Sequence, residues 1–247
     1  MAVIAALRGG LGFLTRLPVS SSDGDWDAFR TTPAAMPIVG YVIGVGLSVI
    51  FLFELSAPAA AALFLAVLYL LTGINHIDGL ADLGDGAVVH GDADRRRTVM
   101  HDTAVGVGGV LAVGLVLATL ALGGLALADL PTVVAVGIVI AAEVGAKAAM
   151  ALCACRYTAA HEGLGAEFLD ALDPADWPPV VAISLPALVF VPPGGGGALL
   201  GAGAVGLIIA RWSARRLDGL SGDVLGAINE LARVVGLHVG VIAWTRL

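Results

Sequence analysis

Charged residues are scarce in this chain, and long apolar runs take their place. Only 13% of the 247 residues are charged, 58% are hydrophobic, and the mean hydropathy is +0.95. A soluble domain of average composition has about 25% charged and about 45–50% apolar residues. This shortage of charge excludes an ordinary soluble domain and indicates that lipid is the solvent for much of the chain.

Basic residues and cysteines are also few. The chain has 13 Lys and Arg residues against 20 Asp and Glu residues, a net charge of −7, and Lys147 as its single lysine. So little positive charge cannot neutralise a phosphate backbone, so nucleic acid is excluded as a partner. Cys153 and Cys155 form a CxC, which is not a zinc-ribbon or redox spacing. We interpret both as small buried apolar residues.

Seven apolar runs, two of them only with their flanks, are long enough to cross about 30 Å of hydrocarbon. They cover about Met36–Leu55, Pro58–Asn75, Val107–Ala128, Thr132–Cys155, Val180–Val191, Ala198–Trp212 and Val224–Trp244. The sequence therefore predicts an all-α fold, a polytopic membrane helical bundle with about seven transmembrane helices. We expect residues 1–247 to form a single integral membrane domain, with an N-terminal interfacial helix within Met1–Pro18.

The arginines predict the orientation of this bundle. With seven spans, Arg30, Arg95–Arg97, Arg156 and the arginines between positions 211 and 216 fall on one side, and Arg246 is the exception. The opposite connectors contain no Lys or Arg, so the positive-inside rule makes the arginine-bearing side cytoplasmic. Most acidic clusters lie on that same side, which predicts a site at the cytoplasmic face of the cell membrane.

Three aspartates follow the second predicted span. If that helix continues, Asp78, Asp82 and Asp85 occupy positions i, i+4 and i+7 and share one face within an arc of roughly 60°. Three carboxylates on one face repel each other, and a cation would offset that repulsion. Oxygen ligands suit Mg²⁺ or Mn²⁺. Because ionisable groups at a membrane helix are costly and usually functional, we favour a metal site over a solvated acidic loop.

Two candidates accompany these aspartates. His76 is a candidate general base, although a lone histidine is often only a hydrogen-bonded structural residue. Arg95, Arg96 and Arg97 offer forked donors for phosphate oxygens. Their alternative explanation is membrane topology alone, and the sequence does not separate the two.

Acidic residues at later helices are further candidates. Asp223 lies at the start of the last span, where it is either a metal ligand or the N-cap of the helix. Glu230 lies two turns deeper in the same span, where it either contacts substrate or forms an ion pair with Arg233 at i+3. In the fourth span, Glu143 and Lys147 at i and i+4 are expected to neutralise each other.

The acidic motif, His76-x-Asp78-Gly79-Leu80-Ala81-Asp82-x-x-Asp85-Gly86, resembles the signature of the cobalamin synthase family. Other segments resemble that family in the same order: Leu11–Pro18, Met36–Gly40 with Ile43-Gly44, Asp94-Arg95 through Asp102 and Gly106, and Ser221-Gly222-Asp223-x-x-Gly226-Ala227-x-x-Glu230. Two positions depart from the family pattern. Ala104 stands where a basic residue or histidine is common, and Asp218 stands where a small residue is usual.

The resemblance implies a Mg²⁺-dependent phosphotransferase of cobalamin biosynthesis. It would transfer the cobinamide-phosphate group of adenosylcobinamide-GDP to α-ribazole or its 5′-phosphate and release GMP. On this hypothesis the metal ligands are Asp78, Asp82, Asp85 and Asp223, the catalytic residues are His76, Asp82 and Asp102, and the substrate contacts are Arg95, Arg96, Arg97 and Glu230. Membrane lipid is the other expected partner, and the sequence leaves open whether the chain forms a homo-oligomer.

Two other functions are alternatives. A CDP-alcohol phosphotransferase also places several aspartates on membrane helices, but its Asp-Gly-x-x-Ala-Arg segment has no counterpart at Asp78–Asp82, which lacks the Arg. A cation- or proton-coupled transporter would have its acids near the middle of the membrane. Here the acids gather at one interface, which favours the enzyme.

Overall fold

The computed structural model describes residues 2–247, and these residues are almost entirely helical. The α-helices are α1 Ala2–Leu14, α2 Asp23–Arg30, α3 Ala35–Ser48, α4 Ala57–Thr72, α5 Asn75–Val88, α6 Ala93–Met100, α7 Val107–Ala128, α8 Thr132–Arg156, α9 Leu164–Leu169, α10 Trp177–Ser184, α11 Gly194–Arg216 and α12 Gly222–Arg246. Short 3₁₀ segments follow α3 and α10 and precede α10. Within residues 2–247 there is no β-strand, only an isolated bridge between Ala159 and Leu220. The all-α prediction is confirmed.

Five helices are long and apolar enough to cross a membrane: α3 with its 3₁₀ extension, α7, α8, α11 and α12. The helices α4 and α5 meet that requirement only together, as a pair bent by 98°. The fifth predicted span is instead α10, of eight residues, followed by the 3₁₀ segment Leu185–Leu188. A polytopic membrane helical bundle is therefore supported with five or six candidate spans, and the predicted count of seven is not confirmed.

The helix α8 lies at the centre of the bundle. It packs against α3, α11 and α12, and nearly every residue from Val134 to Cys155 is buried. Small residues dominate this segment, which lets neighbouring helices approach closely. By contrast, α7 and α11 expose large apolar side chains such as Leu115 and Ile208, as helices that face lipid do.

A sharp bend after α4 determines where the acidic motif lies. The helix α4 ends at Thr72, and Gly73 has a φ of 73°, a conformation that glycine adopts most readily. The backbone N–H of Arg16 donates to the Leu71 carbonyl at 2.7 Å, which holds this helix end. The condition that the second span continues as one helix into the acidic motif is therefore not met, although the motif itself is helical. Instead, α5 is a separate helix that packs across α7 and α12.

The N-terminal helices α1 and α2 pack against each other, and α1 also contacts α3. In the capping box that begins α2, the backbone N–H and the hydroxyl of Ser22 both donate to the Asp25 carboxylate at 2.9 Å. These two hydrogen bonds, with a smaller contribution from Arg8, hold the pKa of Asp25 below its usual range. Asp25 therefore stays ionised at neutral pH. The predicted N-terminal helix exists, and its place at a membrane surface stays a prediction.

Candidate active site

A close crossing of α5 over the first turn of α12 assembles the site. A Cβ added to Gly79 would lie 2.6 Å from the Cα of Asp223, so only glycine allows the two helices to come this close. One turn further along α12, the backbone of His76 packs on Gly226 in the same way. The crossing brings the acidic motif of α5 beside Asp223, which is far away in the sequence.

A cavity of about 300 Å³ opens beside this crossing. Its polar lining residues, here called the polar wall, include Asn75, His76, Asp78 and Asp223. Its apolar lining residues, here called the apolar wall, include Phe13, Trp26, Met36, Met150 and Phe168. The cavity therefore combines acidic groups with an apolar, partly aromatic surface, and it brings together three residues that the sequence predicted: His76, Asp78 and Asp223.

Asp223 is free to act in this cavity because another residue caps α12. The N-cap is Ser221, whose Oγ accepts from the Val224 N–H at 3.3 Å. Ser221 also donates to Asp223 Oδ2 at 3.4 Å. The alternative that Asp223 is merely the N-cap of the last helix is thereby excluded.

Asp82 lies one turn beyond Asp78 on α5, and the negative charges of Asp223, Asp78 and Asp85 all act on it. Its side chain is partly buried, and it accepts no hydrogen bond from any group in residues 2–247. A partly buried carboxylate among three others is unfavourable on its own. A bound cation or a ligand donor would supply the missing partner.

The arrangement of these carboxylates bears on the predicted metal site. In the described range, no group of three or more His, Cys, Asp or Glu side chains is placed to hold a metal ion by itself. Mg²⁺, however, is usually bound by one or two carboxylates together with water and substrate phosphate oxygens. Asp78, Asp82 and Asp223 offer oxygen ligands only, so the donor set fits a Mg²⁺ ion that is shared with a phosphate-bearing substrate.

Asp85 has a structural partner at the start of α7. Its side chain is buried, and its two carboxylate oxygens accept from the backbone N–H groups of Gly106, at 2.7 Å, and Gly109, at 2.9 Å. A carboxylate at a helix N-terminus satisfies free N–H groups and interacts favourably with the helix dipole. Asp85 therefore fixes α5 to α7, which differs from the predicted role as a metal ligand.

We expect the change Asp85→Asn to lower the free energy of unfolding by about 1–3 kcal/mol, because an amide replaces one charge-assisted acceptor and leaves a buried N–H without a partner. The matched control is Asp78→Asn, which changes an exposed carboxylate on the same helix and should shift stability by less than about 0.5 kcal/mol. Denaturant unfolding in detergent micelles measures both. Equal effects at the two positions would contradict the capping role.

The three consecutive arginines have different positions. Arg96 is buried and donates to the carbonyls of Gly86, at 2.7 Å, and Ala87, at 3.0 Å, at the end of α5. Arg97 donates to the Leu217 carbonyl at 2.6 Å and also pairs with acidic neighbours. These two guanidinium groups hold α6 against α5 and α11. Arg95 is exposed, and its guanidinium group has no hydrogen bond or ion pair within residues 2–247.

Glu230 lies in a buried polar cluster and not in the wall of the cavity. Its carboxylate pairs with Arg233 at 2.5 Å and accepts from Tyr69 Oη at 3.1 Å and Asn229 Nδ2 at 3.0 Å. Arg233 also pairs with Glu143. The predicted substrate contact is thus replaced by the ion pair with Arg233, which the sequence had left as the alternative.

The predicted pair of Glu143 and Lys147 does not form. Glu143 pairs with Arg233, and Lys147 donates instead to Asn229. All four ionised groups of this cluster are at most 1% exposed, and their formal charges sum to zero. Here "the buried ion cluster" means Glu143, Lys147, Glu230 and Arg233, which join α8 to α12.

Two histidines that the sequence did not single out lie near Asp223. The rings of His101, after α6, and His161, before α9, have centroids 4.7 Å apart. The His101 side chain is exposed and that of His161 is half-buried, and both lie close enough to Asp223 to interact with it electrostatically. No spacing signal predicts this pair, because the two residues meet only through tertiary packing. Asp102 adjoins His101, but its exposed carboxylate accepts from the Ala104 N–H at 3.1 Å and does not line the cavity.

Comparisons with known proteins agree with the resemblance. Residues 6–241 match the family described as Cobalamin-5-phosphate synthase. Two similar proteins are from Halorubrum lacusprofundi, 48% identical over 99% of both chains, and from Haloquadratum walsbyi, 45% identical over 98% of this chain and 99% of the relative. A third, from Halobacterium salinarum, is 52% identical over 74% of this chain and 92% of its own. All three relatives are named adenosylcobinamide-GDP ribazoletransferase, and no solved structure matches.

These matches give no support to a CDP-alcohol phosphotransferase or to a transporter. They extend over almost the full length of the chain, and they include the acidic motif, the α5–α12 crossing and both walls of the cavity. The chain therefore belongs to the cobalamin-5-phosphate synthase family.

Proposed function

We propose that this protein transfers the cobinamide-phosphate group of adenosylcobinamide-GDP to α-ribazole or its 5′-phosphate, in a Mg²⁺-dependent reaction that releases GMP. The names of the similar proteins specify the reaction class. The structural observation that carries the proposal is the cavity at the α5–α12 crossing, which is lined by Asp78 and Asp223 together with the apolar wall. Such a cavity offers carboxylates to a phosphate-bound metal and apolar side chains to an organic substrate.

The transfer requires one hydroxyl to replace another oxygen on phosphorus. A ribose hydroxyl of α-ribazole forms a bond to the phosphorus that carries cobinamide, and the bond from that phosphorus to GMP breaks. GMP leaves with the bridging oxygen, and the hydroxyl proton passes to a base. His76 lies in the polar wall of the cavity, so we assign it the role of proton acceptor.

Asp78, Asp82 and Asp223 are the residues that would hold Mg²⁺. When bound, the ion neutralises negative charge on the diphosphate and on the oxygen of the leaving group. Asp85 is assigned to positioning, because its oxygens already accept from the α7 backbone. This assignment keeps three of the four predicted ligands.

Phosphate contacts are assigned to Arg95, which is exposed and unpaired within residues 2–247, and to the His101–His161 pair, which lies beside Asp223. Hydrogen bonds donated by these side chains would stabilise the charge of the departing GMP. Arg96 and Arg97 would contribute only by holding α6 in place.

We also propose that the protein resides in the cell membrane with this cavity on the cytoplasmic side. Arg156 ends α8, and Arg215 and Arg216 end α11, close to where α12 begins at Gly222. The arginines and the cavity therefore lie at the same end of the bundle, and positive residues favour the cytoplasmic side. That side also supplies soluble nucleotide substrates.

The purified protein in liposomes should release GMP and form a cobalamin product when supplied with adenosylcobinamide-GDP, α-ribazole and Mg²⁺. A chelator should abolish both products, because the carboxylates would no longer carry the charge-neutralising ion. Mg²⁺ added in excess should restore them. Omitting α-ribazole serves as a control for simple hydrolysis. A folded protein that forms no corrinoid product would contradict the proposal, and chelator-resistant activity would contradict its metal-dependent part.

A further inference from the structure

The size of the cavity limits which part of the proposed substrates can enter it. A volume of about 300 Å³ is at the lower end of pockets that bind drug-sized ligands. A corrin macrocycle with its side chains is several times larger than a nucleoside, so it must stay outside. Two nucleoside-sized groups remain as occupants: the guanosine of the GDP moiety and α-ribazole.

The chemistry of the apolar wall indicates which of these two nucleosides fits the cavity. Phe13, Met36, Met150 and Phe168 offer no strong hydrogen-bond donor or acceptor. Guanine has donors and acceptors along its edge, and burying them without partners costs about 1–3 kcal/mol each. The dimethylbenzimidazole base of α-ribazole has an apolar benzo edge with two methyl groups. The wall therefore suits the benzimidazole and not guanine.

The aromatic part of this wall is built to be rigid. Phe13 of α1 and Trp26 of α2 have ring centroids 4.9 Å apart and are tilted by 54°. Phe29, which is fully buried, supports both rings at 6.1 Å. The capping box of Ser22 and Asp25 fixes the first turn of α2, and Asp25 directly precedes Trp26. Phe13 nevertheless remains 42% exposed, so an apolar surface is held in place without being covered.

We infer that Phe13 and Trp26 bind the planar base of α-ribazole, so that its ribose lies against the polar wall of His76, Asp78 and Asp223. This inference rests on the proposed function and adds to it the location of the acceptor nucleoside. Planar bases pack on aromatic side chains at a gain of about 1–3 kcal/mol. The guanosine of the donor then lies outside the cavity, toward the His101–His161 pair.

The test compares Michaelis constants for the two substrates. In Trp26→Leu and in Phe13→Leu, the KM for α-ribazole should rise about tenfold, the size expected for loss of one aromatic–base contact. The KM for adenosylcobinamide-GDP should stay within about twofold. The control is Trp177→Leu, which removes an exposed indole that does not line this cavity and should change neither constant.

A second readout is independent of turnover. Calorimetric titration of α-ribazole into detergent-solubilised protein should show binding to wild type that weakens by the same factor in both variants. If wild type forms no cobalamin, the proposed function fails. If wild type is active but the variants raise the KM for adenosylcobinamide-GDP instead, guanine occupies the cavity and the inference is overturned. Unchanged constants in both variants would overturn it as well, and the use of two separate positions guards against misfolding of one.

Discussion

Replacing Arg233 by methionine is expected to lower the free energy of unfolding by about 3–5 kcal/mol, the usual cost of removing one partner from a buried ion pair. Arg233 is fully buried and contacts two carboxylates, Glu143 of α8 and Glu230 of α12. Methionine keeps much of the volume but leaves both carboxylates without their shared cation. Denaturant unfolding in mixed micelles, followed by tryptophan fluorescence, measures the change.

The matched control is Arg30→Met, which removes an arginine from the partly exposed pair with Asp27. Exposed pairs contribute about 0.2–1 kcal/mol, so this change should have little effect. Adding Glu143→Gln to Arg233→Met should restore part of the lost stability, because one uncompensated carboxylate disappears. Equal effects of Arg233→Met and Arg30→Met would show that the buried ion cluster does not hold α8 to α12.

The longest helices could be predicted closely from apolar runs alone. The predicted run Val107–Ala128 coincides with α7, and the predicted Thr132–Cys155 ends one residue before α8 does. Gly106 before α7, Asp129 and Pro131 between the two helices, and Arg156 at the end of α8 mark the limits of these apolar runs. The second predicted run, Pro58–Asn75, also lies close to α4, Ala57–Thr72. Hydropathy could not reveal the bend that follows, because it contains no information on the φ of 73° at Gly73 that turns the chain.

The aspartates of α5 could be predicted as a group because they are close in the sequence, whereas the residues that tertiary packing brings to them could not. Helical spacing placed Asp78, Asp82 and Asp85 together because they share one helix. The approach of Asp223 depends on the contact at Gly79, which only the packed structure reveals. The sequence also does not show which guanidinium groups are used by backbone carbonyls, so Arg96 and Arg97 looked equivalent to Arg95.

The change Asp82→Asn is expected to lower kcat by about 10²–10³-fold, as removal of one electrostatic group from an active site commonly does. It should also raise the melting temperature of the metal-free protein, because Asp82 is repelled by three neighbouring carboxylates. Functional residues often reduce stability in this way. A lower kcat together with a higher melting temperature would distinguish a metal ligand from a structural residue, whose loss lowers both activity and stability.

Mg²⁺ binding gives the deciding comparison for this residue. A bound ion stabilises the folded state in proportion to the logarithm of its concentration above its Kd, so Mg²⁺ should raise the melting temperature of wild type much more than that of Asp82→Asn. The control is Asp129→Asn, which removes the same charge from an exposed position after α7 and should leave both kcat and the Mg²⁺ response unchanged. If Asp82→Asn keeps the full Mg²⁺ response but loses activity, Asp82 acts on the substrate directly. The ion would then be held by Asp78 and Asp223 alone, with the remaining positions filled by water and by the diphosphate.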